Sequence, residues 1–230
     1  MEKIRIHELV DFRRILTDKS RRNFAYKLKT RKAKDKLPDE EDKNGGDYWK
    51  TSTSCIYNVV KYNEYERYEN KISELTDKME VAEDNRVKSM HERNISILNN
   101  FKDFQIDDIR PTNIFKFEKV QKNHKIFSLD DYPLYVDPSL LFVYEKNGKT
   151  ELGAIWLVAK LNGFKKNELG MFCELLHKFL TTNYSDNYQV SDNLCIAVDT
   201  FNAQKVSYRE LLEGHVPFLL QETIREIRNS

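Results

Sequence analysis

Residues 137–160 read DPSLLFVYEKNGKTELGAIWLVAK, and the fold turns on how this stretch is read. Two alternating runs, 140–145 and 151–159, flank Lys146-Asn147-Gly148-Lys149. Alternation is the signature of a strand, and Asn-Gly supplies the positive-φ residues that a tight two-residue turn needs. The stretch therefore predicts an antiparallel hairpin that opens on Asp137 and closes on Lys160.

Downstream, Leu169, Phe172, Cys173, Leu176 and Leu180 fall on one stripe of an amphipathic helix over 166–182. NLCIAVD, 193–199, is nearly all apolar, as in a strand buried on both faces. A turn at 201–204 leads to a short segment, 205–208, and then to a closing helix over about 216–228. Upstream, β-branched and aromatic residues dominate after Pro111: Phe115, Phe117, Val120, then Ile126, Phe127, Leu134, Tyr135 and Val136.

Between Trp49 and Arg110 there is no Pro or Gly. Ile56, Val59 and Val60, then Ile72, Leu75, Met79 and Val81, then Ile95, Leu98 and Phe101 recur at three- and four-residue steps. This predicts two long helices, 53–82 and 84–103, packed as an antiparallel hairpin. The expected fold class is α+β: an N-terminal helical region over 1–110, then a mixed β-sheet flanked by helices over 111–230. Residues 32–46, charged and rich in breakers, read as a loop.

Composition narrows the function classes. The chain has 230 residues, 40% of them hydrophobic and 33% charged, which fits a globular protein with a sizeable core. A net charge of +1 gives no global attraction to nucleic acid or membrane, so any such partner has to be argued locally. Cys55, Cys173 and Cys195 lack the spacing of a zinc or redox motif and are expected as reduced thiols. MEKIRIHELVDF has no apolar signal core and no run is long enough to span a bilayer, so a cytoplasmic location without a membrane partner is expected.

The predicted order α-β-β-β-α-β, with its hairpin running from an Asp-Pro to a lysine-ended strand, resembles the PD-(D/E)XK, or restriction-endonuclease-like, superfamily. The resemblance covers residues 111–230. It implies metal-dependent nuclease chemistry: an aspartate at the hairpin start and an acid on the next strand hold Mg²⁺, and a lysine two positions further assists the attacking water. Carried onto this sequence, the catalytic candidates are Asp137, Glu151 and Lys160, with Asp137 and Glu151 as the metal ligands.

The pattern is incomplete. Ser139 follows Pro138 where an acid is expected, Val158 stands two before Lys160, and 153–156 are Gly, Ala, Ile and Trp. By strand parity Glu151 points away from the face of Lys160. A plain reading stands beside the catalytic one: Asp137 caps the turn at Pro138, and Lys160 ends an apolar strand. The expectation is a degenerate core, a non-catalytic nuclease-like binding or assembly protein without a cofactor, in a nucleic-acid-related, mobile-element or antiviral defence complex. The alternative is a divergent Mg²⁺-dependent nuclease.

Two segments suggest partners. Arg13, Arg14, Arg21, Arg22, Lys27, Lys29 and Arg31, interleaved with Phe24 and Tyr26, form a candidate nucleic-acid-binding surface. The same segment also reads as a solvated helix that packs Phe24 and Leu28 inward while its cations face water. The helical hairpin offers a surface for a protein partner or for self-association. Glu174 and His177 make a lone Glu-x-x-His pair, and no phosphate-cradling glycine loop or Gly-x-Ser-x-Gly elbow occurs.

Overall fold

The computed structural model describes residues 2–32 and 48–230; apart from Lys32, the loop expected at 32–46 lies outside them. In chain order the elements are β1 (Ile4–Arg5), α1 (Ile6–Arg14), α2 (Asp18–Thr30), α3 (Lys50–Tyr62), α4 (Glu66–Val81), α5 (Asn85–Lys102), β2 (Ile114–Glu118), β3 (Ile126–Leu129), β4 (Tyr132–Tyr135), β5 (Leu140–Lys146), β6 (Lys149–Val158), α6 (Lys166–Tyr184), β7 (Gln189–Asp199), β8 (Gln204–Ser207), α7 (Tyr208–Leu212) and α8 (Leu220–Asn229). The class is α+β, as expected. No helix among the described residues is long and apolar enough to cross a membrane.

The hairpin forms where the sequence places it. β5 pairs antiparallel with β6 from Leu140 opposite Ile155 to Lys146 opposite Lys149. Asn147 (φ 52°) and Gly148 (φ 73°) make the turn. A five-stranded sheet runs in the order β2-β5-β6-β7-β8, and the crossover through α6 makes β6 and β7 parallel.

Helices cover both faces of this sheet. On one side Leu141, Val143, Trp156, Val158 and Ala197 share a core with residues of α1, α2, α6 and α8. On the other, Leu140, Phe142, Ile155, Leu157 and Val198 pack with Ile56 and Val59 of α3 and Leu98 and Phe101 of α5. Double coverage explains why β6 is buried from Glu151 onward rather than at alternate positions. Both cores draw residues from either side of position 110.

Three elements differ from the expectation. The helix read over 53–82 is two helices, because Asn63 adopts a left-handed conformation (φ 60°) and closes α3 by donating its N–H to the Val59 carbonyl. Asparagine tolerates that region, and the break frees the Val60 carbonyl to accept from Arg110 Nε at 2.8 Å. The segments around 126–136 form a separate three-stranded sheet, in which β4 lies between β3 and the N-terminal β1. The last helix starts at Leu220 rather than near 216, where the buried Glu174 carboxylate accepts the Leu220 N–H at 2.9 Å.

Candidate functional site

The register of the hairpin decides the fate of the expected catalytic set. Glu151 lies opposite Tyr144, near the turn, while Asp137 precedes β5 at the far end. Seven strand positions, about 23 Å at 3.3 Å per residue, separate Glu151 from the end of β6 beside Asp137.

Each residue is engaged where it stands. The Asp137 carboxylate accepts from Lys125 Nζ at 2.8 Å and from the Tyr135 hydroxyl at 2.9 Å, so it does not serve as a cap at Pro138. Glu151 is buried and accepts from the Tyr144 hydroxyl, which also lies 2.7 Å from Ser191 Oγ. Lys160 does more than end a strand, since it pairs with Asp11 of α1. Mg²⁺ needs several oxygen ligands converging on one point. Asp137 and Glu151 are too far apart to share one and do not fit that ion. Among the described residues no group of three His, Cys, Asp or Glu is placed to hold a metal.

A cleft opens instead on the α3 side of the hairpin. Ser139 Oγ accepts the Leu157 N–H at 3.0 Å, which sets Leu157 and Ala159 beside the residue that follows Pro138. Leu157 and Ala159, rather than 153–156, thus stand beside Ser139. With Trp49, at the N-cap of α3, and Lys50, Thr53 and Tyr57 of that helix, they line a cleft of about 400 Å³. Tyr57 and Ser139 also border an adjoining groove of about 300 Å³, whose walls include Lys61, Phe117, Lys119, Lys125 and Asp137. Lys61 Nζ lies 5.6, 5.1 and 5.6 Å from the ring centres of Tyr57, Tyr62 and Phe117. The Tyr57 hydroxyl, then that of Tyr62, holds its ammonium above the ordinary lysine value.

The opposite, α1 side carries a set of polar groups that satisfy one another. Arg14 clamps Glu168 through Nε and Nη2, each at 2.6 Å, and its Nη2 also donates to the Gly163 carbonyl. Asp199, fully buried at the end of β7, accepts from the N–H groups of Phe164 (2.9 Å) and Phe201 (3.0 Å) and from the Asn202 amide (2.8 Å). His7 sits edge-on to Phe164 and Phe172, and burial, then the neighbouring Lys160, pushes its pKa down to about 4. Of this set only Arg14 was singled out from sequence, as a nucleic-acid contact rather than as the partner of Glu168. The available signals were a lone carboxylate ending an apolar strand and Glu168 placed three after Lys165, where it accepts the Lys165 N–H as a capping residue does.

The basic segment is narrower than its composition suggests. Arg13 lies 3.5 Å from Glu226, Arg21 lies 3.8 Å from the same residue, Arg14 is taken by Glu168, and Arg31 pairs with Glu8 and Glu2. Lys29 donates to the Arg228 carbonyl at 3.4 Å. Leu28 is buried and Phe24 half-buried, as the solvated-helix reading requires, but these arginines turn to carboxylates rather than to water. Among the described residues Arg22 and Lys27 keep no such partner, and with Tyr26, 65% exposed, they form the outer strip of α2. Replacing Arg22 and Lys27 by glutamine is expected to reduce the slope of log affinity against log salt for duplex DNA by no more than about two. A larger drop, measured by anisotropy titrations across salt, would mean that the paired arginines also reach phosphates.

Glu174 caps α8 while His177 contacts Asp192 and stacks on Tyr208, so the Glu-x-x-His pair has separate structural uses. The three cysteines are buried and unpaired. Set against known proteins, the chain matches no family model, no curated protein and no solved structure.

Proposed function

We propose that the protein is a non-catalytic, nuclease-like binding and assembly protein that works in a nucleic-acid-related complex in the cytoplasm. A mobile-element or antiviral defence complex is the setting that the PD-(D/E)XK resemblance implies. What supports that reading is the antiparallel run β2-β5-β6, the crossover α6 and the parallel β7, once β3 and β4, which form a separate sheet, are set aside. One observation carries the non-catalytic reading: a hydroxyl, an isobutyl group and a methyl, from Ser139, Leu157 and Ala159, meet where a nuclease gathers carboxylates and a lysine. The hydroxyl is already held by the Leu157 N–H. The α4–α5 hairpin, with Val81 81% and Val87 38% exposed at its tip, is the surface proposed for a protein partner.

Incubated with Mg²⁺ or Mn²⁺ and single- or double-stranded DNA or RNA, the purified chain is expected to cleave none of them. Its activity should not differ from that of Asp137→Ala or Lys160→Ala. Robust cleavage that disappears in either variant would overturn this reading and restore the divergent metal-dependent nuclease.

A further inference from the structure

The groove along α3 holds a charge that its own walls do not neutralise. Lys61 is surrounded by three aromatic rings, and no carboxylate pairs with it among the described residues. Lys119, exposed on the same wall, likewise has no partner there. The groove's two carboxylates are both taken, Asp137 by Lys125 at 2.8 Å and Glu118 by Lys116 at 2.6 Å. Two ammonium groups are therefore left facing a concave surface.

The α3 wall continues through Tyr57 from this groove into the adjoining cleft, where Thr53 and Trp49 stand, and its residues repeat with the helix. Thr53, Tyr57 and Lys61 follow one another at four-residue steps on one face of α3, and Trp49, the N-cap residue whose carbonyl accepts the Thr53 N–H, extends the row by one more step. At 1.5 Å per residue the row is about 18 Å long. Trp49 is braced edge-on by Tyr48 and Phe201, at 4.8 and 5.9 Å, so its ring is held in place rather than free to collapse into the cleft. An aromatic ring, a hydroxyl, a second ring and a cation in sequence match a chain that alternates flat bases with phosphates. Single-stranded nucleic acid fits, because its bases are free to stack on side chains. In a duplex they stack on one another, and an acidic peptide has no flat group for each ring.

We propose that the α3 groove binds single-stranded nucleic acid, with Trp49 and Tyr57 as stacking surfaces and Lys61 and Lys119 as phosphate contacts. This rests on the nucleic-acid part of the function proposed above and places the contact on the face of the sheet opposite α2.

The test is fluorescence anisotropy of labelled oligothymidylate and oligouridylate at low salt with the full chain. Lys61→Gln with Lys119→Gln should weaken binding at least about tenfold and lower the salt slope by about 1.4, two phosphates at about 0.7 each. Tyr57→Leu should weaken binding about tenfold by removing one stacked base. Lys146→Gln with Lys149→Gln, exposed at the opposite end of the hairpin, should leave affinity for these strands unchanged, and circular dichroism should show every variant folded. The proposal is overturned if neither strand binds, or if the Lys61/Lys119 variant binds as the unmodified chain does. It is also overturned if uridine monophosphate or polyglutamate competes as well as the strand. Cleavage of the bound strand would overturn the non-catalytic reading and leave the groove standing, so the two failures are distinguishable.

Discussion

Gly163→Ala is expected to destabilise the protein by about 3–5 kcal/mol, a large share of the 5–15 kcal/mol that typically separates folded from unfolded chains. Gly163 sits at φ +66°, where a side chain costs about 1–2 kcal/mol through its contact with the following carbonyl. The added methyl would also overlap the Asn202 amide and the Asp199 carboxylate. Asp199 is fully buried and orders the loops after both β6 and β7, so displacing it leaves buried donors unmatched at about 1–3 kcal/mol each. Gly214→Ala is the control: its φ is +77°, but nothing lies within 4 Å of the new methyl, so only the backbone strain should appear. Urea unfolding of the two variants should differ by more than about 1 kcal/mol. Equal losses would show that the Asp199 loop yields without penalty.

Stability is also expected to fall by about 2–3 kcal/mol as the pH drops from near 6.5 toward 4, because of His7. Its imidazole stays neutral in the folded protein down to about 4, whereas the unfolded chain takes up a proton near 6.5. In that window the unfolded state binds more protons, so this contribution is complete above 6.5 and is lost as the pH falls. His7 keeps some contact with water, which trims the effect. Burial and the charges of Lys160 and Arg5 favour the neutral ring, while Asp11 and Glu8 oppose them.

Glu168 adds a second, lower step. Burial pushes its carboxyl up, but the Arg14 guanidinium and the Lys165 N–H outweigh burial and leave it below the ordinary carboxylate value. That stabilisation is present above the unfolded value and is lost at lower pH. His7→Leu should flatten the upper window of a denaturation series against pH and keep the lower one. An unchanged upper slope would assign it to another group.

The hairpin was legible because its signals are local: an Asn-Gly turn between two apolar runs fixes the pairing. The same turn held information that residue spacing alone hid. Counting outward from Asn147 and Gly148 pairs Glu151 with Tyr144 and sends Asp137 to the other end, which separates the proposed metal ligands. The break at Asn63 was not legible, because an asparagine between helical stretches is only mildly unfavourable and the choice depends on what the bend lets pack. Nor was the pairing of Ile4 with Leu134 visible, since nothing near either residue announces the other. The basic segment looked like an open patch because the carboxylate that holds Arg13 lies 213 residues further on.

That separation governs how the protein can be made. Ile4, Leu9, Phe12 and Leu28 close one core only together with Leu220, Ile224 and Ile227. On a ribosome adding roughly 5–20 residues per second, the first two helices wait on the order of 10–40 s for the last one. During that interval β4 and α6 cover their apolar faces only in part, and Arg13 and Arg21 lack the acidic partner that α8 supplies. This core is therefore completed only after α8 has emerged, as a late, long-range event rather than one growing from the N-terminal side.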